Sequence, residues 1–286
     1  MAHAAQRPDS AAALPATLRL GPVHLVVFDL DRSLAWYERA LGLRRMGDAA
    51  LGDGVTPVAV LHEDPDARPA GRHAGLYHYA LLYPSREELA RAVLRVSAAQ
   101  APVQGLSDHG THEAVYLPDP DGNGIELAAD RPREQWPTVE EMYGRGPQPL
   151  DLDALLATIA GEEPAPTVGE GLRVGHLHLH VGDIEEALAF YRDGLGFELQ
   201  ASLGTAAFVS AGGYHHHVGL NVWKGRGVGP APPHTAGLEH WTIELGAEDE
   251  VGRLRARLER AGHPVEPVAG GFRVRDPWEI ALDVVR

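Results

Sequence analysis

The stretch Asp29-Leu-Asp-Arg-Ser-Leu-Ala-Trp-Tyr-Glu-Arg-Ala-Leu-Gly-Leu43 has a close counterpart later in the chain, Asp183-Ile-Glu-Glu-Ala-Leu-Ala-Phe-Tyr-Arg-Asp-Gly-Leu-Gly-Phe197. In both copies an aspartate can cap a helix, apolar residues recur at helical spacing, and a glycine follows the last turn. Each copy lies between strand-like runs. The repeat predicts that the chain is built from copies of one structural unit.

Two further copies lack the helix motif that begins with aspartate but have the same order of strands around a helix. They begin at Gly75-Leu-Tyr-His78 and Gly237-Leu-Glu-His240. The turns Asp119-Pro120 and Asp276-Pro277 also match each other. The order in every copy is strand, helix and three strands. We therefore predict an α+β fold of four βαβββ modules, arranged as two tandem pairs.

The modules group into two domains, as expected for a chain of 286 residues. Residues 18–131 and 172–286 are the predicted domains. Residues 1–17 are rich in alanine but lack the continuous apolar core and cleavage site of a signal peptide, so we predict a disordered tail. Residues 132–171 are rich in Pro, Glu and Gly, which predicts a linker between the domains.

The composition excludes several classes of partner. With 25 basic and 40 acidic residues the formal charge is −15, which argues against binding nucleic acid or an anionic membrane surface. No apolar run approaches the ~18 residues of a membrane span. The absence of cysteine excludes disulfides and thiolate metal sites and fits a cytoplasmic protein. Any metal ion must therefore be bound by His, Asp or Glu.

One predicted strand, Gly175-His-Leu-His-Leu-His-Val181, carries an unusual polar face. Successive side chains of a strand point to opposite faces, so the leucines and Val181 lie on one side and the imidazoles of His176, His178 and His180 on the other. An apolar face predicts core. A face covered by imidazoles favours a bound ligand or metal ion.

A second histidine cluster, His215-His-His217, overlaps the start of another predicted strand, His216 to Trp223. If the chain is extended here, alternation sends His216 to one face and His215 and His217 to the other. We therefore expect only His216 to serve the same site as His176.

These motifs resemble those of the vicinal-oxygen-chelate superfamily, which includes glyoxalase I, bleomycin-resistance proteins and extradiol dioxygenases. The turn motif Asp119-Pro-Asp-Gly-Asn-Gly-Ile-Glu126 is shared across that superfamily. The run Gly212-Gly-Tyr-His-His-His-Val-Gly-Leu-Asn-Val-Trp223, with Gly175-His176 and Leu76-Tyr-His78, is similar to two-repeat bacterial catechol 2,3-dioxygenases. The resemblance implies that paired modules form cup-shaped mixed sheets around a metal ion, with the helices outside.

The resemblance also implies two histidines and one carboxylate as ligands of Fe(II), or of Mn(II), with three positions open for a catechol and O₂. Two ligand sets stay open, depending on which modules pair. Pairing of the second and third modules gives His176, His78 and Glu126, whereas pairing in sequence gives His176, His240 and Asp283. The inner pairing is favoured because the first and fourth modules each depart from the ligand pattern.

The remaining site residues take their roles from the same resemblance. His216 is the expected acid–base residue, and Tyr116 and His109 are expected to hydrogen-bond the bound substrate. His112 is a weaker candidate for that task. His178 and His180 are expected to line the site.

The activity implied is ring cleavage of catechol or a substituted catechol by O₂, in the breakdown of aromatic compounds. A homo-oligomer is compatible with the family. One alternative is a glyoxalase-type metal-dependent isomerase or lyase, which would need a further carboxylate on the last strand of the leading module. The other is a non-enzymatic sequestering protein of the bleomycin-resistance kind, which would lack the metal ligands.

Overall fold

The computed structural model describes residues 13–163 and 165–286. Most of the predicted tail, residues 1–17, lies outside the described residues. The described part forms two compact units. The first unit contains the residues up to His24 together with 68–77 and 176–286, and the second contains 25–67 and 78–175. The predicted domain limits stay a prediction.

The helices and strands have the following bounds. The strands are β1 (Arg19–Leu20), β2 (Val23–Val27), β3 (Arg44–Arg45), β4 (Ala50–Gly52), β5 (Pro57–Glu63), β6 (Gly75–Tyr83), β7 (Gly105–Asp108), β8 (His112–Pro118), β9 (Gly124–Asp130), β10 (Arg173–His180), β11 (Glu198–Ser202), β12 (Ala206–Ser210), β13 (Val218–Asn221), β14 (Gly237–Glu244), β15 (Val265–Val268), β16 (Gly271–Arg275) and β17 (Ala281–Val285). The α-helices are α1 (Leu30–Trp36), α2 (Arg86–Ala98), α3 (Val139–Arg145), α4 (Leu152–Leu156), α5 (Ile184–Leu188) and α6 (Glu248–Arg260). Within the described ranges, no helix combines the length and the hydropathy that crossing a membrane requires.

The predicted module order is confirmed. The modules are β2-α1-β3-β4-β5, β6-α2-β7-β8-β9, β10-α5-β11-β12-β13 and β14-α6-β15-β16-β17. In the last three modules the first strand pairs in parallel with the last, and the intervening strands pair in antiparallel order. Each of these three modules therefore has mixed strand pairing and one helix after its first strand, which confirms the α+β class.

The helices of the first and third modules begin where the repeat predicts, but each ends in a π-helical turn. Asp29 and Asp183 accept hydrogen bonds from backbone N–H groups of the first helical turn, so both are N-caps. Each helix then widens into a π-helical turn, Tyr37–Leu41 and Ala189–Gly194. The π turns contain Tyr37 and Tyr191, and both side chains are buried.

The core occupies both faces of β10. Leu177, Leu179 and Val181 are fully buried, as the alternation predicts. The imidazole face is also buried, with His176 at 2%, His178 at 4% and His180 at 6% exposure. Buried polar groups need hydrogen-bond partners or ligands, so we expect such a partner for each of these imidazoles.

Candidate active site

In the second unit, His78 on β6 and Glu126 on β9 form the centre of a buried polar cluster. The parallel pairing of these strands places Ala80 opposite Glu126. His78 is two residues before Ala80 and therefore points to the same face of the sheet as Ala80. His78 Nε2 lies 3.1 Å from Glu126 Oε2. Both side chains are almost fully buried. A carboxylate costs free energy to bury unless a charge or hydrogen bond compensates it, so this pair is a candidate metal-binding pair.

A second imidazole contacts the other oxygen of the same carboxylate. His112 Nε2 lies 3.0 Å from Glu126 Oε1, and His112 is 3% exposed. Its other ring nitrogen, Nδ1, lies 2.9 Å from Thr111 Oγ1. Both oxygens of Glu126 therefore face imidazole nitrogens. The sequence interpretation gave His112 only a minor role, and its contact with Glu126 is new.

Tyr116 and His109 lie beside this cluster. Tyr116 is directly opposite Glu126 in the antiparallel pairing of β8 and β9. Its hydroxyl is 2.8 Å from His109 Nε2, and its ring lies 5.5 Å from the ring of His78. The His109 ring stacks on His112 at 4.5 Å and 12°. The unit thus brings together four predicted site residues, His78, Glu126, Tyr116 and His109.

The turn that carries His109 is held by charged hydrogen bonds. Asp108 accepts from the Gly110 N–H at 2.8 Å through Oδ1 and from Arg131 Nη2 at 2.8 Å through Oδ2. The backbone of Asp108 also exchanges two hydrogen bonds with Gln148 in the predicted linker. Charge-assisted bonds of this kind fix a loop in one conformation. The orientation of His109 is therefore set by the protein around it.

The turn that leads into β9 is tied to the π turn of the first module. The Tyr37 hydroxyl donates to Asp119 Oδ2 at 2.9 Å, and Asp119 Oδ1 accepts from the N–H groups of Asp121 and Asn123. Burial raises the pKa of Asp119 and raises the pKa of Tyr37 well above its usual value. Since β9 carries Glu126, this buried bond helps to position the carboxylate.

In the first unit, His176 on β10 adjoins His216. Their ring centroids are 4.2 Å apart, and both side chains are buried. The predicted strand from His216 is wrong at its start, because β13 begins at Val218. Gly212 and Gly213 adopt positive φ values of 62° and 66°, which turn the chain before the strand.

The predicted alternation of the histidine cluster fails for the same reason. His215 Nδ1 and His216 Nδ1 are 2.9 Å apart, so these side chains share one side of the chain. His217 instead accepts a hydrogen bond from the Ala211 N–H at 3.1 Å. The expected proximity of His216 to His176 nevertheless holds.

His178 and His180 contact an aromatic cluster. The His178 ring lies 5.3 Å from Tyr77, 5.2 Å from Trp223 and 5.7 Å from Phe208. His180 Nδ1 is 2.7 Å from Asn221 Oδ1, which also accepts from the Trp223 N–H at 3.0 Å. The lining role expected for these two histidines stays a prediction.

The fourth module, also in the first unit, has a different arrangement. His240 Nε2 lies 3.5 Å from Asp283 Oδ2. Arg273 is directly opposite Asp283 in the β16–β17 pairing and binds both carboxylate oxygens, through Nε at 2.6 Å and Nη2 at 2.9 Å. This hydrogen bonding raises the pKa of Arg273. The carboxylate of the alternative ligand set is thus already paired with a guanidinium.

The second-unit cluster fits a divalent metal ion. Neighbouring ligands of an ion bound at about 2.1 Å lie about 3 Å apart, which matches the His78–Glu126 separation. Within the described residues, His109, His112 and Glu126 also offer ligand atoms within 4.8 Å of one another. Imidazole and carboxylate donors suit Fe(II) and Mn(II).

Comparison with known proteins agrees with the fold and the motifs. The family model described as "Glyoxalase/Bleomycin resistance protein/Dioxygenase superfamily" matches residues 19–127 and 173–284. A Bacillus subtilis (strain 168) protein named catechol-2,3-dioxygenase is 40% identical over 268 residues, covering 90% of this chain and 93% of that protein. The predicted resemblance to bacterial catechol 2,3-dioxygenases is thereby confirmed.

Solved structures with low sequence identity share the fold. A Bacillus subtilis protein described as a candidate dioxygenase has a TM-score of 0.61 at 15% identity, covering 95% of this chain and 86% of that one. Glyoxalase I from Zea mays has a TM-score of 0.56 at 16% identity, covering 94% of this chain and 92% of that one. The matched modules, the shared fold and the 40% identical relative lead to one assignment: the chain belongs to the glyoxalase/bleomycin resistance protein/dioxygenase superfamily.

Proposed function

We propose that this protein is an extradiol dioxygenase that opens the ring of catechol or a substituted catechol with O₂ at a divalent metal ion, iron in the first instance. The 40% identity to a protein named catechol-2,3-dioxygenase, extending over nearly all of both chains, supports the reaction class. The buried cluster around Glu126 supports the metal dependence.

We propose His78, Glu126 and His176 as the metal ligands. The observation that carries this choice is the contrast between the two carboxylates. Glu126 faces imidazole nitrogens at 3.1 and 3.0 Å, whereas Asp283 accepts both arms of the Arg273 guanidinium. A guanidinium stays protonated at every relevant pH, so Asp283 is a poor ligand for a cation.

His176 is added to this set because of its place in the repeat. It follows Gly175 on the first strand of the third module. The resemblance to the dioxygenases implies a metal ligand at that position.

His216, which adjoins the proposed ligand His176, would transfer protons to and from the substrate. A catechol must lose hydroxyl protons when it chelates a metal, and ring opening later requires a proton in return. His216 adjoins His176, and an imidazole can accept a proton in the first step and return it in the second. The His109–Tyr116 pair would hydrogen-bond the substrate oxygens next to Glu126.

Fe(II) bound by two histidines and one carboxylate would supply three further positions, enough for a bidentate catecholate and O₂, and the means to exchange electrons between them. Phe208, which contacts His216, and Tyr77, which contacts His178 and Trp223, would hold the substrate ring or its substituent by aromatic contact. Burial of the ligands keeps bulk water away from the reacting atoms.

The other candidate functions receive less support. A glyoxalase-type enzyme would need another carboxylate ligand on the last strand of the leading module. That strand, β13, has the sequence Val-Gly-Leu-Asn. A purely sequestering protein would not need a buried cluster of metal-ligating side chains.

The test is an assay of the purified protein loaded with Fe(II) under argon and then given catechol and O₂. Ring cleavage yields a yellow semialdehyde with stoichiometric oxygen uptake. His78→Ala should abolish both signals, and the matched variant His240→Ala should retain them. No colour and no oxygen uptake with catechol and with several substituted catechols would overturn the proposal.

A further inference from the structure

The geometry points to His112 as a positioning residue that holds one oxygen of Glu126, so that the carboxylate offers only its other oxygen to the metal ion. This inference rests on the proposed function, because it takes Glu126 as a metal ligand. It gives His112 a task that differs both from ligation and from contact with the substrate.

The first step is the division of the carboxylate between two imidazoles. Glu126 Oε1 is 3.0 Å from His112 Nε2, and Glu126 Oε2 is 3.1 Å from His78 Nε2. The two oxygens therefore have separate partners. His112 and Tyr116 lie on one face of β8, so His112 reaches Glu126 from farther along the same sheet surface.

The second step assigns the protons. An ionised carboxylate only accepts hydrogen bonds, so the proposed hold on Oε1 places a proton on His112 Nε2. In a neutral imidazole the other nitrogen, Nδ1, is then an acceptor. Thr111 Oγ1 lies 2.9 Å from Nδ1 and can donate its hydroxyl proton there. The proposed chain from Thr111 to His112 to Glu126 therefore uses the tautomer with its proton on Nε2.

The third step is the rigidity of the ring that makes the bond. His112 is 3% exposed, and His109 stacks on it with an interplanar angle of 12°. A close polar contact at each nitrogen and stacking on one face leave the imidazole little freedom to rotate. A held donor of this kind keeps the carboxylate oriented before a metal ion arrives.

The fourth step concerns the number of coordination positions. Two histidines, one carboxylate oxygen, a bidentate catecholate and O₂ would together take six coordination positions. A carboxylate that used both oxygens would take a position that the substrates need. By occupying Oε1, His112 would keep Glu126 monodentate and leave the third open position free.

Binding of Mn(II) to the apo protein tests this role without requiring turnover. Free Mn(II), measured by EPR during a titration, gives the apparent Kd. His112→Phe should weaken binding by about 10–100-fold, the usual cost of losing such a partner. Thr111→Val should weaken it by about 2–10-fold, as expected for one neutral hydrogen bond. His112→Gln, whose amide can donate, should recover part of the loss.

The matched control is His240→Phe, which removes a buried imidazole beside the carboxylate of the fourth module. Its metal affinity should equal that of the wild type. Unchanged affinity in His112→Phe would overturn the inference. Loss of binding in His112→Phe as complete as in His78→Ala would also overturn it, because His112 would then be a ligand.

A second measurement uses the wild-type protein and so does not depend on the folding of any variant. Pulsed EPR of the Mn(II) complex, prepared with ¹⁵N-labelled histidine, counts the coordinated imidazoles. The inference requires two imidazoles, and a count of three would contradict it. Metal binding without ring cleavage would refute the proposed reaction while leaving the role of His112 intact. Binding lost in His240→Phe would refute the ligand set instead.

Discussion

The second and fourth modules share their strand order and register but differ in how they treat one buried carboxylate. His78 and Glu126 in the second module correspond to His240 and Asp283 in the fourth. The residue opposite the carboxylate is Tyr116 in the one and Arg273 in the other. The fourth module therefore carries its own cation, whereas the second module surrounds its carboxylate with imidazoles.

This difference has a simple physical basis. A buried carboxylate needs a compensating positive charge or strong hydrogen bonds. Arg273 supplies a permanent charge in a geometry that matches both oxygens of Asp283. The imidazoles near Glu126 can instead act as neutral ligands of a metal ion. The residue opposite the carboxylate therefore distinguishes the two modules. Arg273 neutralises Asp283 within the fourth module, whereas Tyr116 leaves Glu126 available to a metal ion.

The largest effect is expected from neutralising each carboxylate in turn. Glu126→Gln should reduce ring cleavage by more than about 10³-fold, the scale of losing an essential group, and should release the metal ion. Asp283→Asn should leave the activity within about twofold but lower the free energy of unfolding by about 1–3 kcal/mol, because Arg273 loses its charged partner. Activity assays and urea denaturation measure the two quantities. Equal losses of activity in both variants would break the comparison.

A smaller effect is expected at the position opposite each carboxylate. Tyr116→Phe removes the hydroxyl that bonds His109 and should lower kcat by about 10–100-fold, with bound metal retained. Arg273→Met should not change kcat but should lower the melting temperature, since Asp283 loses its guanidinium. Steady-state kinetics, metal analysis and thermal unfolding distinguish the two. A fall in kcat for Arg273→Met would contradict the assignment of the fourth module as non-catalytic.

A third pair of variants addresses the buried tyrosines of the π turns. Tyr37 donates to Asp119 at 2.9 Å and Tyr191 donates to Asp276 at 3.0 Å. Each change to Phe should cost about 1–2 kcal/mol of stability, the value of one buried hydrogen bond. Only Tyr37→Phe should also weaken metal binding, because its aspartate begins the turn before Glu126. Equal metal affinity in the two variants would show that this turn does not position the ligand.

The smallest effect on the proposed metal site is expected from Asp276, whose titration changes stability and not metal binding. Burial raises the pKa of Asp276 to about 7, above the value of about 4 expected in the unfolded chain. The folded protein therefore holds this proton where the unfolded chain has released it. The resulting stabilisation is complete below about pH 4 and is lost as the pH rises toward 7.

Asp276→Asn mimics the protonated form and keeps an oxygen for the Trp278 and Ile280 N–H groups. Between pH 4 and 7 the free energy of unfolding of the wild type should fall relative to that of the variant. Urea denaturation across this range measures the difference. Parallel profiles would show that Asp276 titrates normally.

The sequence could predict the module order and the position of Glu126, because repeats and two-residue alternation are local properties. His78 and Glu126 stand at repeated positions, and the structure places them 3.1 Å apart. The sequence alone does not decide between the two ligand sets. It shows that Asp283 has a shorter side chain than Glu126, but the pairing of Asp283 with Arg273 depends on strand register, which a single sequence does not reveal.

Other features required the folded chain. His112 contacts Glu126 because β8 pairs with β9. The signal for this contact in the sequence is the two-residue alternation that puts His112 on the same face of β8 as Tyr116. The alternation expected at His215 and His216 failed because two glycines with positive φ turn the chain just before them. Local pattern predicts elements well, whereas contacts across a sheet depend on pairing partners and turns.

The most direct test of the central claim is a crystal structure of the Mn(II)-loaded protein with anomalous diffraction data collected at the manganese edge. The account predicts one strong anomalous peak, bound by His78 Nε2, one oxygen of Glu126 and His176, with the Arg273–Asp283 pair undisturbed. A peak bound by His240 and Asp283, with none at Glu126, would contradict it.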